Sequence, residues 1–458
     1  MHRVGMVLMC GIMLLLIFVV QTSAAGSENS DPNSDLLKIL HENKAITDAQ
    51  YQELSEQILK KKKNTDIKVQ WKNGFRLSSE DKAFDVKFVG RILNDWAVIN
   101  ADQELDNAFG DTLLEGSGTE FRQARIEFSG TIYNDIIFRA EYDFAGGDAD
   151  FKDVWVGMKK IPHLGQIRFG HQKEPFSLEQ LNNVMYLVFM EKGLVSALVP
   201  NRNTGVKIIN STADKKLAWS LSIMKDVDDT GDGFKDGSDY NFTGRISGVP
   251  INSNSGRNLL HLGLSYSHQF RKDDNTLRLR ERPETHITDV RLADTGNIPG
   301  VDAVDLLGGE IGFIRGSLSL QSEYVYAMLS SQASDDPEFS SWYIFCSYFL
   351  TGENRAYRLD DGGGEFTRVK IKNDFHLNKP GWGAWEIALR YSMLDLNDNG
   401  IKGGKETNWT LGLNWYLNPN LRWDLNYVLA KIEDRDSGGV AINEADTNIL
   451  MTRFQIYF

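Results

Sequence analysis

The sequence predicts an all-β fold: a transmembrane antiparallel β-barrel of about 16 strands with a short N-terminal periplasmic helical segment. Three observations carry this prediction. Apolar and polar residues alternate over stretches of nine to twelve residues, the length of a tilted membrane-spanning strand and about twice that of a strand in a soluble sheet. The mean hydropathy is only −0.35, as expected when every strand turns one face to lipid and the other to water. Finally, the chain ends inside such a pattern, on MTRFQIYF, where a soluble edge strand would leave a bulky terminus exposed.

Taken in order, the chain opens with Arg3, an apolar run from Val7 to Val20 and then Gln21-Thr22-Ser23-Ala24-Ala25. A positive start, a hydrophobic stretch and small residues before a cut predict a secretory signal peptide over residues 1–25. About 14 apolar residues fall short of the ~20 that a spanning helix needs. Cleavage would remove one charge, Arg3, taking the net charge from −13 to −14, and would leave Cys346 as the sole cysteine. The exported chain then has no intramolecular disulfide, and its acidic balance argues against nucleic acid as a partner.

Residues 26–66 are read as a periplasmic linker followed by two short amphipathic helices joined near Asn43, with apolar positions at Leu36, Leu37, Leu40, Tyr51, Leu54 and Ile58. Thr47 and Gln50 have capping-box spacing, and Lys60 to Lys63 sit where the helix dipole favours cations. Too short to be stable alone, this segment packs on itself, on the rest of the protein or on copies in a coiled coil.

From residue 67 to 458 the period is two. Ile136, Phe138, Ala140 and Tyr142 alternate with Arg139, Glu141 and Asp143; Leu260, Leu262, Leu264 and Tyr266 with His261, Ser265 and Ser267. Trp385, Ile387, Leu389 and Tyr391 alternate with Glu386, Arg390 and Ser392, and Trp409, Leu411 and Trp415 with Asn408, Thr410 and Asn414. Some 390 residues at roughly 24 per strand and connection give about 16 strands, enough for a water-filled lumen. Asn418-Pro419-Asn420 reads as a tight periplasmic turn, and 394–407 and 431–446 as long outer loops. Counting strands backwards puts Ile314-Arg315-Gly316-Ser317 on the outer side despite its tight-turn look. Either one element is miscounted or a turn near 351–365 is long and folds inward. The segment after HQKEPFSLEQL loses alternation for some 25 residues; it is a pore-constricting loop or a loop packed on the rim. The last strand is expected to close the wall against residues 68–77.

Several stretches resemble the phosphate-selective porin O and P family of Gram-negative outer membranes: FRQARIEFSGTIYND (121–135), EYDFAGG (141–147), LGQIRFGHQKEPFSLEQL (164–181), LVPNRNTGVKI (198–208), SYFLTGENRAYR (347–358), GWGAWEIALRYS (381–392) and LGLNWYLNP (411–419). The resemblance runs from about residue 72 to Phe458. It implies an outer-membrane homotrimer of 16-stranded barrels, surrounded by outer-membrane lipid, in which basic side chains guide small anions such as phosphate through a pore narrowed by inward-folded loops. The terminal pattern at Phe454, Ile456 and Phe458 resembles the signal read by the barrel-assembly machinery.

A diffusion pore needs no catalytic group and no cofactor; it needs lumen-facing charge. Parity points Arg125, Arg139 and Arg168 inward, and FTRVKIK places Arg368, Lys370 and Lys372 in line on one face like the start of a basic ladder. Lys173, with Lys192 and Arg202, supplies cations around the unpatterned loop. The alternative is an ordinary polar wall, its cations answered by Glu127, Glu141 and Asp374, and hence a general non-selective porin. A barrel lipase or protease would need a rim nucleophile beside His261, His268 or His376, and no nucleophile elbow or metal motif is present. DVDDTGDGFKDGSD (226–239) has EF-hand-like spacing at Asp228, Thr230, Asp232, Gly233, Asp236 and Asp239. It lacks the closing Glu and flanking helices, which favours a solvated acidic loop.

Overall fold

The computed structural model describes residues 32–458 except 66, 72–73, 110–114, 234–238, 272–274, 334 and 361–362. The expected signal peptide and nearly all of the polar linker therefore lie outside the described residues, as do the side chains of Lys60 to Lys63. The described chain forms two compact units, one reaching to Lys68 together with Ser79–Asp81, the other comprising Val69–Ser78 and Lys82–Phe458.

The first unit holds helices α1 (Pro32–Glu42) and α2 (Asp48–Thr65). The capping box forms in both directions: the Gln50 N–H donates to Thr47 Oγ1 at 3.3 Å, and the Thr47 N–H to Gln50 Oε1 at 3.0 Å. His41 stacks on Tyr51 across the turn, with ring centroids 4.4 Å apart. Leu37 is buried while Leu36 and Ile39 stay exposed. Thr47→Ala is expected to cost α2 about 1 kcal/mol. Amide exchange at Asp48 to Gln50 in the intact protein should speed up accordingly, and unchanged exchange would refute the cap.

The second unit is a closed barrel of 16 antiparallel strands among the described residues. In chain order these are β1 Asp85–Ala101, β2 Gly116–Ile132, β3 Ile136–Asp143, β4 Asp150–Ile161, β5 Gly165–Lys173, β6 Arg202–Ser211, β7 Leu217–Lys225 and β8 Asn241–Ser253. They continue as β9 Asn258–Phe270, β10 Val301–Arg315, β11 Leu318–Ser331, β12 Glu338–Phe349, β13 Ala384–Asp398, β14 Ile401–Asn418, β15 Leu421–Ser437 and β16 Val440–Tyr457. Each strand pairs with the next, and β16 returns to β1 with Thr447 opposite Ala101 and Ile456 opposite Ile92.

This closure corrects the expected pairing with residues 68–77. Phe75 to Ser78 pair instead with Phe88 to Asp85, at the start of β1. Strands of five residues there are too short to span a bilayer, whereas β1 alternates over 17 residues. Its Ile92, Trp96 and Val98 are exposed and its Arg91, Leu93 and Asp95 buried.

Around the wall the exposed side chains are Phe121, Val156, Phe169, Ile223, Ile246, Leu264, Tyr324, Ile344, Leu389, Leu411 and Leu450. A continuous apolar band of this extent is far larger than the few hundred Å² a water-soluble surface tolerates, and it fits a lipid-facing wall.

Short reversals at Gly316-Ser317 and Pro419-Asn420 lie at the same end as the chain terminus, the periplasmic end by the rule of short inner turns. The connection between β12 and β13, residues 350–383, is on that side too. It carries a hairpin, Ala356–Asp360 with Gly363–Thr367, that folds into the lumen, so the second of the two explanations for the strand count holds. The same geometry corrects FTRVKIK: the strand stops at Thr367, and Arg368, Lys370 and Lys372 follow in irregular chain rather than on a wall strand.

At the opposite end, 394–407 and 431–446 are hairpins and not long loops. They reverse at Asn399-Gly400 and Gly438-Gly439, all four residues at positive φ, the two-residue geometry that matches strand twist. Cross-strand ion pairs such as Lys431 with Glu444 at 2.7 Å let the ladder continue beyond the lipid band.

Candidate functional site

The unpatterned segment 174–201 lies in the lumen, not on the rim. Its short helix Leu178–Leu181 is capped by Ser177, whose Oγ accepts from the Gln180 N–H at 3.2 Å. On β11, the Glu323 carboxylate accepts the N–H groups of Leu178 (2.9 Å) and Glu179 (2.7 Å) and the Tyr343 hydroxyl (2.6 Å). Farther along, the Met190 N–H donates to Asn426 Oδ1 at 2.8 Å. Arg453 of β16 bridges both Asp95 oxygens (2.7 and 2.6 Å) and Glu191 (2.7 Å), and Arg122 donates to Glu191 at 2.8 and 3.1 Å. Burial raises the Glu191 carboxyl, and Arg122 and Arg453 more than offset it, holding the group well below the ordinary carboxylate range.

Two further segments enter the barrel. Glu284, from the connection 271–300, accepts from Arg390, Ser392 and Thr410 on β13 and β14, and Ser196 donates to Glu281 at 2.6 Å. The periplasmic hairpin docks on the other wall. Tyr357 OH lies 2.7 Å from His261 Nδ1, Arg245 donates to the Gly364 carbonyl at 3.2 Å, and the Phe366 N–H donates to Asn182 Oδ1 at 2.9 Å. Leu359 and Phe366 of the hairpin pack with Leu178, Leu259 and Ile314. One side of the lumen is thereby filled.

A cavity of about 920 Å³ stays open along the wall formed by β1 to β6 and β16. Twelve basic and five acidic side chains line it. Among the residues expected from sequence, Arg125, Arg139, Lys173, Arg368 and Lys370 line this cavity. Arg125 is buried against Asp143 (2.6 Å) and Glu141 (3.0 Å). Arg139 meets Glu127 (2.9 Å), Glu141 (2.6 Å) and Asp153 (3.4 Å). The Lys173 ammonium donates to the Gln180 and Asn182 carbonyls. Arg168 lies on the lumen wall over the Trp155 ring, 4.3 Å from its centroid. Lys372 is not among the lining residues; its ammonium donates to the Gly352 carbonyl at 2.7 Å.

Sequence reasoning missed Lys87, Arg91, Arg122, Lys152 and Arg358, which line the same cavity. Parity within β1 would have found Lys87 and Arg91, which share a face with Asp95, once the closing strand had been set at residues 85–101. Lys192, from the inward loop, donates to Gln180 Oε1. Burial, and then the charge of Arg202, bring its pKa down to about 8.

Of the histidines weighed for catalysis, His261 lies between Tyr357 and Glu310 (3.0 Å), and His268 2.8 Å from Asp305. Part of the acidic loop, residues 234–238, lies outside the described residues. Asp228 turns its carboxylate onto the loop itself, accepting from the Thr230 and Asp232 N–H groups at 2.9 and 3.0 Å. At the chain terminus, Phe454, Ile456 and Phe458 all face outward and are exposed. Phe458 exchanges two backbone hydrogen bonds with Gly90, at 2.7 and 2.9 Å. Its ring lies over that glycine, where a Cβ would come within 2.4 Å of it.

The model of the family described as phosphate-selective porin O and P matches residues 97–458. An uncharacterized protein of Caulobacter vibrioides is 29% identical over 371 residues, covering 79% of this chain and 71% of that protein. Porin O of Pseudomonas aeruginosa is 25% identical over 431 residues, covering 86% and 93%. Among solved structures, an anion-selective porin from Comamonas acidovorans superposes with a TM-score of 0.51 at 13% identity, covering 81% of this chain and 99% of that one.

Proposed function

Because the chain belongs to the phosphate-selective porin O and P family, and so forms an outer-membrane channel for passive diffusion of small solutes, we propose that this channel prefers small anions of the phosphate type. One observation carries the preference. A chain whose net charge is −13 lines the 920 Å³ cavity in its lumen with twelve basic and only five acidic groups. Clustered cations in a narrow, low-dielectric passage raise the local concentration of anions and lower their energy there. The acidic excess therefore sits elsewhere, and the net charge of the chain is no guide to its pore. Arg125 and Arg139 contribute mainly by holding the acidic residues in place, whereas Lys87, Lys192 and Arg368 supply charge to the passage.

Further parts of this reading are export by the 1–25 signal peptide, insertion by the barrel-assembly machinery, a homotrimer as the family resemblance implies, and conduction without catalysis or a cofactor. Purified protein in a planar bilayer should give stepwise conductance. Under a chloride gradient the reversal potential should take the sign of anion preference, and phosphate should block chloride current. A reversal potential near zero would leave a general porin; no conductance steps would sink the channel itself.

Two outcomes test the charge argument. Replacing both Lys87 and Arg368 by Glu should shift the reversal potential toward cations. In the native channel, raising the pH through about 8 removes the Lys192 charge, so anion preference should weaken from neutral to alkaline pH. A constant reversal potential over that range would exclude Lys192 from the passage.

A further inference from the structure

After leaving the lumen, residues 374–383 cross to the outside of the barrel and form a small stapled finger over the periplasmic ends of β13 and β14. The indole N–H groups of Trp385 and Trp415, which belong to the outward parity of their strands, both donate to the Trp382 carbonyl, at 3.0 and 2.8 Å. Those two indoles stack with centroids 5.1 Å apart, and Phe375 packs edge-on against Trp415 at 5.0 Å. The Phe375 N–H donates to the Leu417 carbonyl at 2.6 Å. The tip closes on itself: the His376 N–H points to the Gly381 carbonyl at 3.4 Å, and a Cβ on Gly381 would lie 2.2 Å from the Asp374 carbonyl oxygen.

The finger is held by Trp385, Trp415 and Leu417, and of its large side chains only Phe375 packs on the barrel. Leu377 is 88% exposed and Trp382 76%, the two most exposed large apolar side chains among the described residues. An ordinary turn would offer polar groups to water instead. Water is a poor medium for this tip, since large apolar side chains gain free energy on leaving it.

We propose that the finger is an interfacial anchor for the periplasmic leaflet, seating Leu377 and Trp382 among the phospholipid headgroups and upper acyl methylenes. Two facts select this occupant. The finger is continuous with the lipid-facing band, since Trp385 and Trp415 beneath it lead directly into Ile387, Leu389 and Leu411 on the same outward parity. Its exposed cations, Lys379 at the tip and Lys372 at the base, also match lipid phosphates. A Trp with a neighbouring lysine at a strand end is the chemistry of membrane–water boundaries, where the ring is half wet and the ammonium reaches the headgroup. The anchor would fix the depth of the barrel, and with it the level of the inward hairpin that precedes it in the chain. It depends on the outer-membrane location and not on ion preference.

The test uses the full chain, with Cys10 and Cys346 replaced by serine and Leu377→Cys carrying an environment-sensitive fluorophore, inserted into phosphatidylethanolamine–phosphatidylglycerol vesicles. Asp214→Cys, on an exposed turn at the same end of the barrel, is the water-facing reference. The label at 377 should emit to the blue of the reference, be quenched by lipids brominated on their upper acyl carbons, and resist iodide. Iodide quenching equal to the reference would put the finger in water and overturn the proposal. Protection from both quenchers would mean that protein covers it, a second copy of the chain for instance, and would overturn it equally.

Discussion

Replacing Arg453 by Met is expected to destabilise the barrel by about 3–5 kcal/mol, the cost of leaving buried charges without their partner. Arg453 lies at the junction of the seam and the constriction. Its bidentate pair with Asp95 joins β16 to β1, the strands that close the barrel, while the same guanidinium holds Glu191 and the Met190 carbonyl of the inward loop. Met fills a similar volume without charge, so both carboxylates lose a charge-assisted donor in a dry setting. Folded protein in detergent should melt at a lower temperature, and surviving channels should show larger, noisier conductance.

Glu191→Gln separates the two effects. It leaves the Arg453–Asp95 seam intact and loosens only the loop, so conductance noise should rise while the melting temperature stays nearly native. If both variants melt alike, the loop tether and not the seam dominates. The depressed Glu191 pKa adds a sign. Its stabilising contribution is complete above the ordinary glutamate range near 4, and it is lost only as pH falls through the lowered folded value. Constriction of the channel should therefore persist into mildly acidic media.

The wall of the barrel was legible in the sequence because its side-chain period is enforced by two solvents. Ile136 against Arg139, or Leu411 against Thr410, could not be exchanged without putting charge in lipid. The tight turn at Asn418 to Asn420 and the loss of alternation after Pro175 were legible for the same reason: each interrupts that period. Position along the chain was less so. Residues 68–77 and 85–101 both alternate, and only the second is long enough to accept β16.

The outer hairpins reversing at Asn399-Gly400 and Gly438-Gly439 looked like loops because charged residues occupy strands that extend past the lipid. There parity no longer separates apolar from polar. Least legible was the interior. Arg368 and Lys370 share a local period of two, but they follow a hairpin whose direction is set by His261, Arg245 and Asn182, residues 96 to 184 positions from their partners in it. Likewise Arg125 and Arg139 point inward as parity requires, and whether they are free or paired depended on which acids the register brought opposite them.

Deleting Phe458 is expected to remove most of the folded barrel from the outer membrane while leaving the conductance of any inserted channel unchanged. The residue gives the seam two backbone hydrogen bonds to Gly90, worth about 1 kcal/mol each net, and a ring only partly covered. That loss is modest against a barrel held by 16 strand pairings, so a purely structural role predicts a lower melting temperature with near-normal yield. A role as the signal read during assembly predicts the reverse, a collapse in yield out of proportion to the stability lost.

Gly90→Ala makes the distinction sharp. The new methyl would meet the Phe458 ring at 2.4 Å and push it off the wall, costing stability at the seam while keeping the terminal residue and its pattern with Phe454 and Ile456. If Gly90→Ala assembles at normal yield but melts early, and the deletion fails to assemble, the ring serves recognition first and packing second. If both variants accumulate normally in the outer-membrane fraction, the chain end is only the last rung of the ladder, and the recognition role is wrong.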